Sequence, residues 1–240
     1  MTPFTASTVF ALAAAIANIL GGLIVTRHKW ARSSLRYFIA LGSGFMLATV
    51  FLEMVPESFH RSASAPALIL AGYAIVHFFE HAFAPHLHFG EETHHDEMSR
   101  IVGLSAFVGM LVHTFFDGVA IGAGFLISDG AGFLIFLAVF LHKIPDGFTI
   151  ASVAVSSGYT AAHAIGAAAM LGIATLIGVF AVHAAGDGAV YALPIAAGCT
   201  LYVAATDLMP EANRETGARM AFIVFAGMGL FLLVRMAAGI

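Results

Sequence analysis

The chain has 240 residues, of which 60% are hydrophobic and only 10% charged, with a formal net charge of −4. Soluble domains carry about a quarter charged residues, so this composition, with a mean hydropathy of +0.94, excludes an ordinary soluble domain and reads as an integral membrane protein. The slightly acidic balance has no basic cluster beyond Arg27 to Arg36 and excludes a nucleic-acid partner, and the single cysteine, Cys199, excludes an intrachain disulfide.

Apolar segments of about twenty residues cross the hydrocarbon as helices. Eight are predicted, over 8–26, 36–58, 66–84, 101–127, 131–157, 161–184, 189–211 and 217–237. The first has no positive stretch ahead of it and its basic residues follow the apolar run, so it reads as a retained span inserted N-terminus outward. The connections are short, apart from a histidine-rich loop at 85–99 between spans 3 and 4, and the whole chain, 1–240, is expected to form one transmembrane domain. Basic residues set the direction. Arg27, Lys29, Arg32, Arg36, Arg100, Arg214 and Arg219 fall on one side and Arg61 and Arg235 on the other, with Lys143 inside the membrane. Both termini are therefore expected outside and the loop 85–99 in the cytosol. The compact chain and minimal loops point to a bacterial inner membrane. A homodimer is compatible with the sequence but not specified by it.

Span 2 ends in EMVPE (Glu53 to Glu57) and span 7 in DLMPE (Asp207 to Glu211), with Gly44 and Gly198 at the same distance upstream. Spans 4 and 5 carry HTFFDG (His113 to Gly118) and HKIPDG (His142 to Gly147). By the topology above both matches join antiparallel helices. The fold class is thus all-α and polytopic, eight transmembrane helices with inverted repeats (spans 1–3 and 6–8) around a central pair (spans 4–5). Inverted repeats that hold polar groups at the bilayer midplane mark secondary transporters.

Residues four apart share a helix face, so His113 with Asp117, and His142 with Asp146, can face one another across two adjacent spans. Two imidazoles and two carboxylates suit a borderline divalent cation, zinc first. Each ionisable group at mid-bilayer costs at least ~2.5–3.5 kcal/mol on insertion scales, and a packing role for all of them has to meet that cost. Pro145 frees the carbonyl of Leu141 and loosens the helix there; an ordinary kink is the alternative. Lys143 either acts on the site or forms a structural ion pair with Asp146.

HTFFDGVAIG and HKIPDGFTIAS resemble the paired motifs on the fourth and fifth helices of ZIP (Zrt/Irt-like) metal transporters, in the form of a prokaryotic member. The resemblance covers the whole chain. It implies a transporter, not an enzyme, that moves a divalent metal toward the cytosol, with Zn²⁺ as substrate and Fe²⁺, Mn²⁺, Co²⁺ or Cd²⁺ as alternatives. His113, Asp117, His142 and Asp146 fall where the family's primary ligands lie. Many members bind a second metal through an asparagine and an acid where this chain has Thr114 and Lys143, and the sixth-helix acid is missing too. The expectation is a single-metal site in which Lys143 supplies the charge of the second cation.

Glu53, Glu57, Asp207 and Glu211 are expected to attract cations at the entrance and exit of the pathway, helix-end solvation being the alternative. His77, His81, His86, His88, His94 and His95 are expected to form accessory cytosolic metal positions, or simply a solvated loop. HFFEH (His77 to His81) also matches the H-x-x-E-H pattern of metallopeptidases, so the competing function is an intramembrane zinc-dependent hydrolase.

Overall fold

A computed structural model describes residues 1–27, 32–83, 100–214, 218–237 and 239. Every regular element among them is helical. α1 is Pro3–Arg27. α2 is one continuous rod built from Arg32–Thr49, a π-helical turn at Val50–Met54, and Val55–Arg61. α3 is Ala65–Phe83, α4 Arg100–Ile127, α5 Asp129–Ser156 and α6 Ala161–Ala184. A 3₁₀ turn, Gly186–Tyr191, leads into α7, which joins Ala192–Tyr202, a π-helical Val203–Leu208 and Met209–Ala212; α8 is Ala218–Ala237.

These eight helices match the eight expected spans with small shifts at their ends. The first begins at Pro3 and not at residue 8, because the Thr2 hydroxyl accepts the Thr5 amide at 3.2 Å and proline is preorganised for the first helical position. Among the described residues seven helices are long and apolar enough to cross a membrane, and α3, with its apolar part at Ala65–His81, is shorter. α4 and α5 meet at the single residue Ser128, whose hydroxyl caps α5 by accepting the Ala131 amide at 3.0 Å. So tight a turn leaves the two helices antiparallel neighbours. The loop expected at 85–99 lies outside the described residues.

The inverted repeat is visible in how closely the helices approach. A Cβ on Gly147 of α5 would sit 1.9 Å from the carbonyl oxygen of Asn18 in α1, and one on Gly118 of α4 would sit 1.9 Å from that of Thr175 in α6. The contacts are reciprocal: Gly21 abuts the carbonyl of Ile144, and Gly178 that of Phe115. The same holds between α2 and α8, where Gly44 meets Val224 and Gly227 meets Leu41. It holds again between α7 and α3, where Gly198 meets Ile69 and Gly72 meets Ile195. Each contact in one half has its counterpart in the other at one constant sequence offset per helix. Thus α1 to α3 correspond to α6 to α8, and α4 to α5. Small residues are what lets membrane helices come this close, since lipid supplies no hydrophobic drive between them.

The π-helical turns obey the same relation. Val55 donates to the carbonyl of Val50, and Met209 to that of Ala204, each one residue before a proline. Proline has no amide for the fourth carbonyl back, so the wider turn lets each helix run through without a break. Ala11 and Ala14 of α1, Ile121 and Phe125 of α4, Val139 of α5 and Val179 of α6 close a buried apolar layer over the central pair.

Candidate metal centre

The paired motifs converge as their spacing requires. His113 and Asp117 project from α4, His142 and Asp146 from α5, and one ligand atom from each lies within 4.8 Å of all the others. The four are buried, and so is Lys143. The two glycines that follow the aspartates are the ones pressed against α1 and α6, so the carboxylates sit where the backbone is held most closely from outside.

His113 Nε2 lies 3.3 Å from Asp146 Oδ2, and His142 Nε2 lies 3.3 Å from Asp117 Oδ2 and 3.7 Å from Asp146 Oδ2. Each imidazole thus reaches the carboxylate of the opposite helix. His142 Nδ1 donates to the carbonyl of Ala138 at 3.0 Å. That bond fixes the tautomer, because in a neutral ring it leaves Nε2 with a lone pair and no proton. In that neutral form the Nε2 lone pair and the two carboxylate oxygens it faces would share a cation placed between them. Zinc bonds to nitrogen and oxygen run to about 2.0–2.2 Å, which sets tetrahedral ligand atoms about 3.4 Å apart, so the most widely spaced of these atoms would draw together by more than about an ångström around an ion.

Within the chain itself that cation is Lys143. Its Nζ donates to Asp117 Oδ2 at 2.5 Å and to Asp146 Oδ2 at 2.9 Å. The lysine therefore bridges both helices and is not confined to a pair with Asp146 within one helix. It also uses the same oxygens that the imidazoles face. Thr114 Oγ, His113 Nδ1 and Asp146 Oδ1 are buried with no hydrogen-bond partner.

The remaining sequence candidates lie apart from this group. Glu53 Oε2 stands 3.6 Å from Arg235 Nη2, Glu57 Oε1 pairs with Arg61 Nε at 2.5 Å, and Glu211 Oε2 pairs with Arg214 Nε at 2.8 Å. Asp207 accepts the Thr206 hydroxyl at 3.2 Å and lies within electrostatic reach of both Glu80 and Asp146. His77 and His81 stack with ring centroids 4.1 Å apart, and His81 Nδ1 lies 3.0 Å from the carbonyl of His77. Among the described residues, the His113, Asp117, His142 and Asp146 group is the one that closes to ligand distance; the HFFEH residues do not. His86, His88, His94 and His95 lie outside the described residues.

Sequence reasoning passes over Arg235, which counts there only as a loop charge. The signal that could find it is positional: it stands eight residues beyond Gly227, as Glu80 stands eight beyond Gly72.

Comparison with known proteins decides the family. A sequence model described as "ZIP Zinc transporter" matches residues 86–235, well over half of the chain. The chain belongs to the ZIP zinc transporter family. It is similar to the zinc transporter foi of Drosophila melanogaster, 30% identical over 149 residues, 57% of this chain and 21% of that protein. It is similar also to the human zinc transporter SLC39A7, 29% identical over 151 residues, 58% of this chain and 32% of that protein. Human zinc transporter ZIP6 is 30% identical over 138 residues, 53% of this chain and 18% of that protein. The matched region spans a third or less of these relatives' length. ZIP family membership and the apolar helices together make the chain an integral membrane protein.

Proposed function

We propose that this ZIP protein carries divalent metal ions, zinc first among them, through a single-metal site between α4 and α5 toward the cytosol. The observation that carries the reading is Lys143 seated between Asp117 and Asp146 on the oxygens a metal would take. With neutral histidines, two carboxylates and one ammonium give the metal-free pocket a formal charge of −1, and one divalent ion brings it to +1. A second ion would bring it to +3, which a pocket buried as deeply as this one does not support. The modest swing on either side of neutrality keeps a single ion bindable and releasable. The ammonium leaves the carboxylate oxygens as the metal arrives and returns to them as it departs, so the pocket never holds two bare carboxylates.

The family of the chain and its relatives' names support zinc as the cargo, and the cytosol as its destination is what the resemblance of the paired motifs implies. The acids near the ends of α2 and α7 support a cation route that meets the site from both sides, with accessory positions at His77 and His81 on the side of the loop 85–99. The distribution of basic residues supports both termini outside, and the compact chain with its minimal loops supports a bacterial inner membrane.

The test is radiometal uptake into proteoliposomes, with Zn²⁺, Fe²⁺, Mn²⁺, Co²⁺ and Cd²⁺ as competitors. Saturable uptake best competed by Zn²⁺ is expected, and Ala in place of His113, Asp117, His142 or Asp146 should abolish it while the proteins still insert. Wild-type rates in these variants would sink the site.

A further inference from the structure

The two halves match residue for residue at the helix contacts, so a place where matched positions carry opposite charge is informative. Arg235 of α8 and Glu80 of α3 are such a pair, each eight residues past the glycine that packs its helix. Their neighbours match as well: Glu53 of α2 corresponds to Asp207 of α7, each nine residues past Gly44 or Gly198.

On the α2 side, Pro56 has no amide for the carbonyl of Leu52. Arg235 Nη1 donates to that carbonyl at 3.0 Å while Nη2 lies 3.6 Å from Glu53 Oε2. One guanidinium thus fills both an orphaned backbone acceptor and a carboxylate, using the fork that lysine lacks. On the α7 side the equivalent arm is an acid. Tyr202 hydrogen-bonds Glu80, and the charge of Glu80 bears on Asp207, which in turn is within reach of Asp146. One mouth is therefore closed by a cation of the chain itself, and the other presents acid beside acid.

We propose that Arg235 is a tethered cation that latches α8 to α2 over the Glu53 mouth and yields Glu53 to an arriving divalent ion. It would do at the mouth what Lys143 does at the centre. The side chains are 35% and 11% exposed, so the latch is of the weak, openable kind. It makes the two mouths unequal and sets the metal concentration needed to enter from the Glu53 side. This inference rests on the transport reading above.

The experiment compares wild type with Arg235→Gln, Arg235→Lys and the swap Arg235→Glu with Glu53→Arg. Zn²⁺ uptake is measured against concentration from each face of oriented proteoliposomes. Hydrogen exchange over residues 50–57 and the last turns of α8 is followed on the same proteins in detergent. In Arg235→Gln, exchange should quicken in both segments. Half-saturation from the Glu53 face should fall about threefold, within the range of partly exposed ion pairs, with no change from the other face. Lys should fall between the two, because it keeps the charge and loses the fork, and the swap should return exchange and half-saturation toward wild type. Uptake with unchanged half-saturation and unchanged exchange in Arg235→Gln would overturn the latch alone. No uptake in any of the proteins would remove the transport reading, and with it the access role of Arg235.

Discussion

At the scale of single residues, Lys143 is the group on which the chemistry turns. It sits at 0% exposure with its ammonium on two carboxylates from different helices. A unit charge at 4 Å is worth about 4 kcal/mol at an effective dielectric of 20. Removing the ammonium therefore frees more attraction for a cation than any change in packing at this position. Lys143→Ala should bind Zn²⁺ more tightly by about tenfold or more, with one ion per protein as before, and its turnover should fall because release is slower. Titration calorimetry and uptake on the same preparation check both halves. An unchanged affinity would mean that the lysine is only a strut between α4 and α5. Lys143→Asp supplies an acid but leaves Thr114 unchanged, so the charge alone is tested there.

At the scale of helices, the glycines after the two aspartates decide how far the candidate metal ligands stand from the surrounding bundle. Gly147 leaves no room for a methyl group, since its Cβ would fall 1.9 Å from the Asn18 carbonyl oxygen. Backbone cannot yield there as a side-chain tip can, so Gly147→Ala should cost about 1–3 kcal/mol or more. It should push α1 from α5 and shift Asp146 with it. Gly118→Ala should do the same to α6 and Asp117, because the contact is repeated by the inverted half. Gly166 has open space around it, and Gly166→Ala should leave the unfolding temperature in detergent unchanged or slightly higher. Equal melting temperatures for the three variants would contradict the close-approach account of the repeat. The π-helical turns belong to this scale too. A run of apolar residues ending in Pro-Glu announces a disturbed helix, but not that the disturbance widens a turn and carries the rod onward to Arg61 or Ala212.

At the scale of the whole molecule, the inverted halves require the ends of α2 and α7 to open on opposite sides of the membrane. Arg61 and Asn213 are exposed just beyond the two Pro-Glu motifs, and the native Cys199 is buried. Cysteines introduced at these two positions should label with an impermeant maleimide from opposite faces of sealed vesicles. Labelling of both from one face would contradict the inverted repeat and the two-mouthed route together. The molecule is nearly two-fold in its helix contacts. The halves share glycines and prolines, and differ in charge at Arg235 and Glu80.

Much of this protein is legible in its amino-acid sequence. Span number follows from apolar length, because the hydrocarbon has a fixed thickness. The four candidate ligands follow from the i, i+4 spacing of each motif, which is a property of one helix at a time. The inverted repeat follows from matched Pro-Glu and Asp-Gly positions together with the parity of the spans. The tertiary structure alone decides the rest, and in each case the deciding contact joins helices far apart in sequence. Lys143 holds Asp117 of α4 as well as Asp146 of its own helix, a contact that the motif resemblance suggests but that spacing within α5 does not fix. Arg235 finds the carbonyl that Pro56 leaves open, and the HFFEH residues fail to close on a common point among the described residues although their spacing permits it. A sequence sets which groups lie on one face of a helix; only the packing of helix against helix sets which cation, from the chain or from solution, those groups hold.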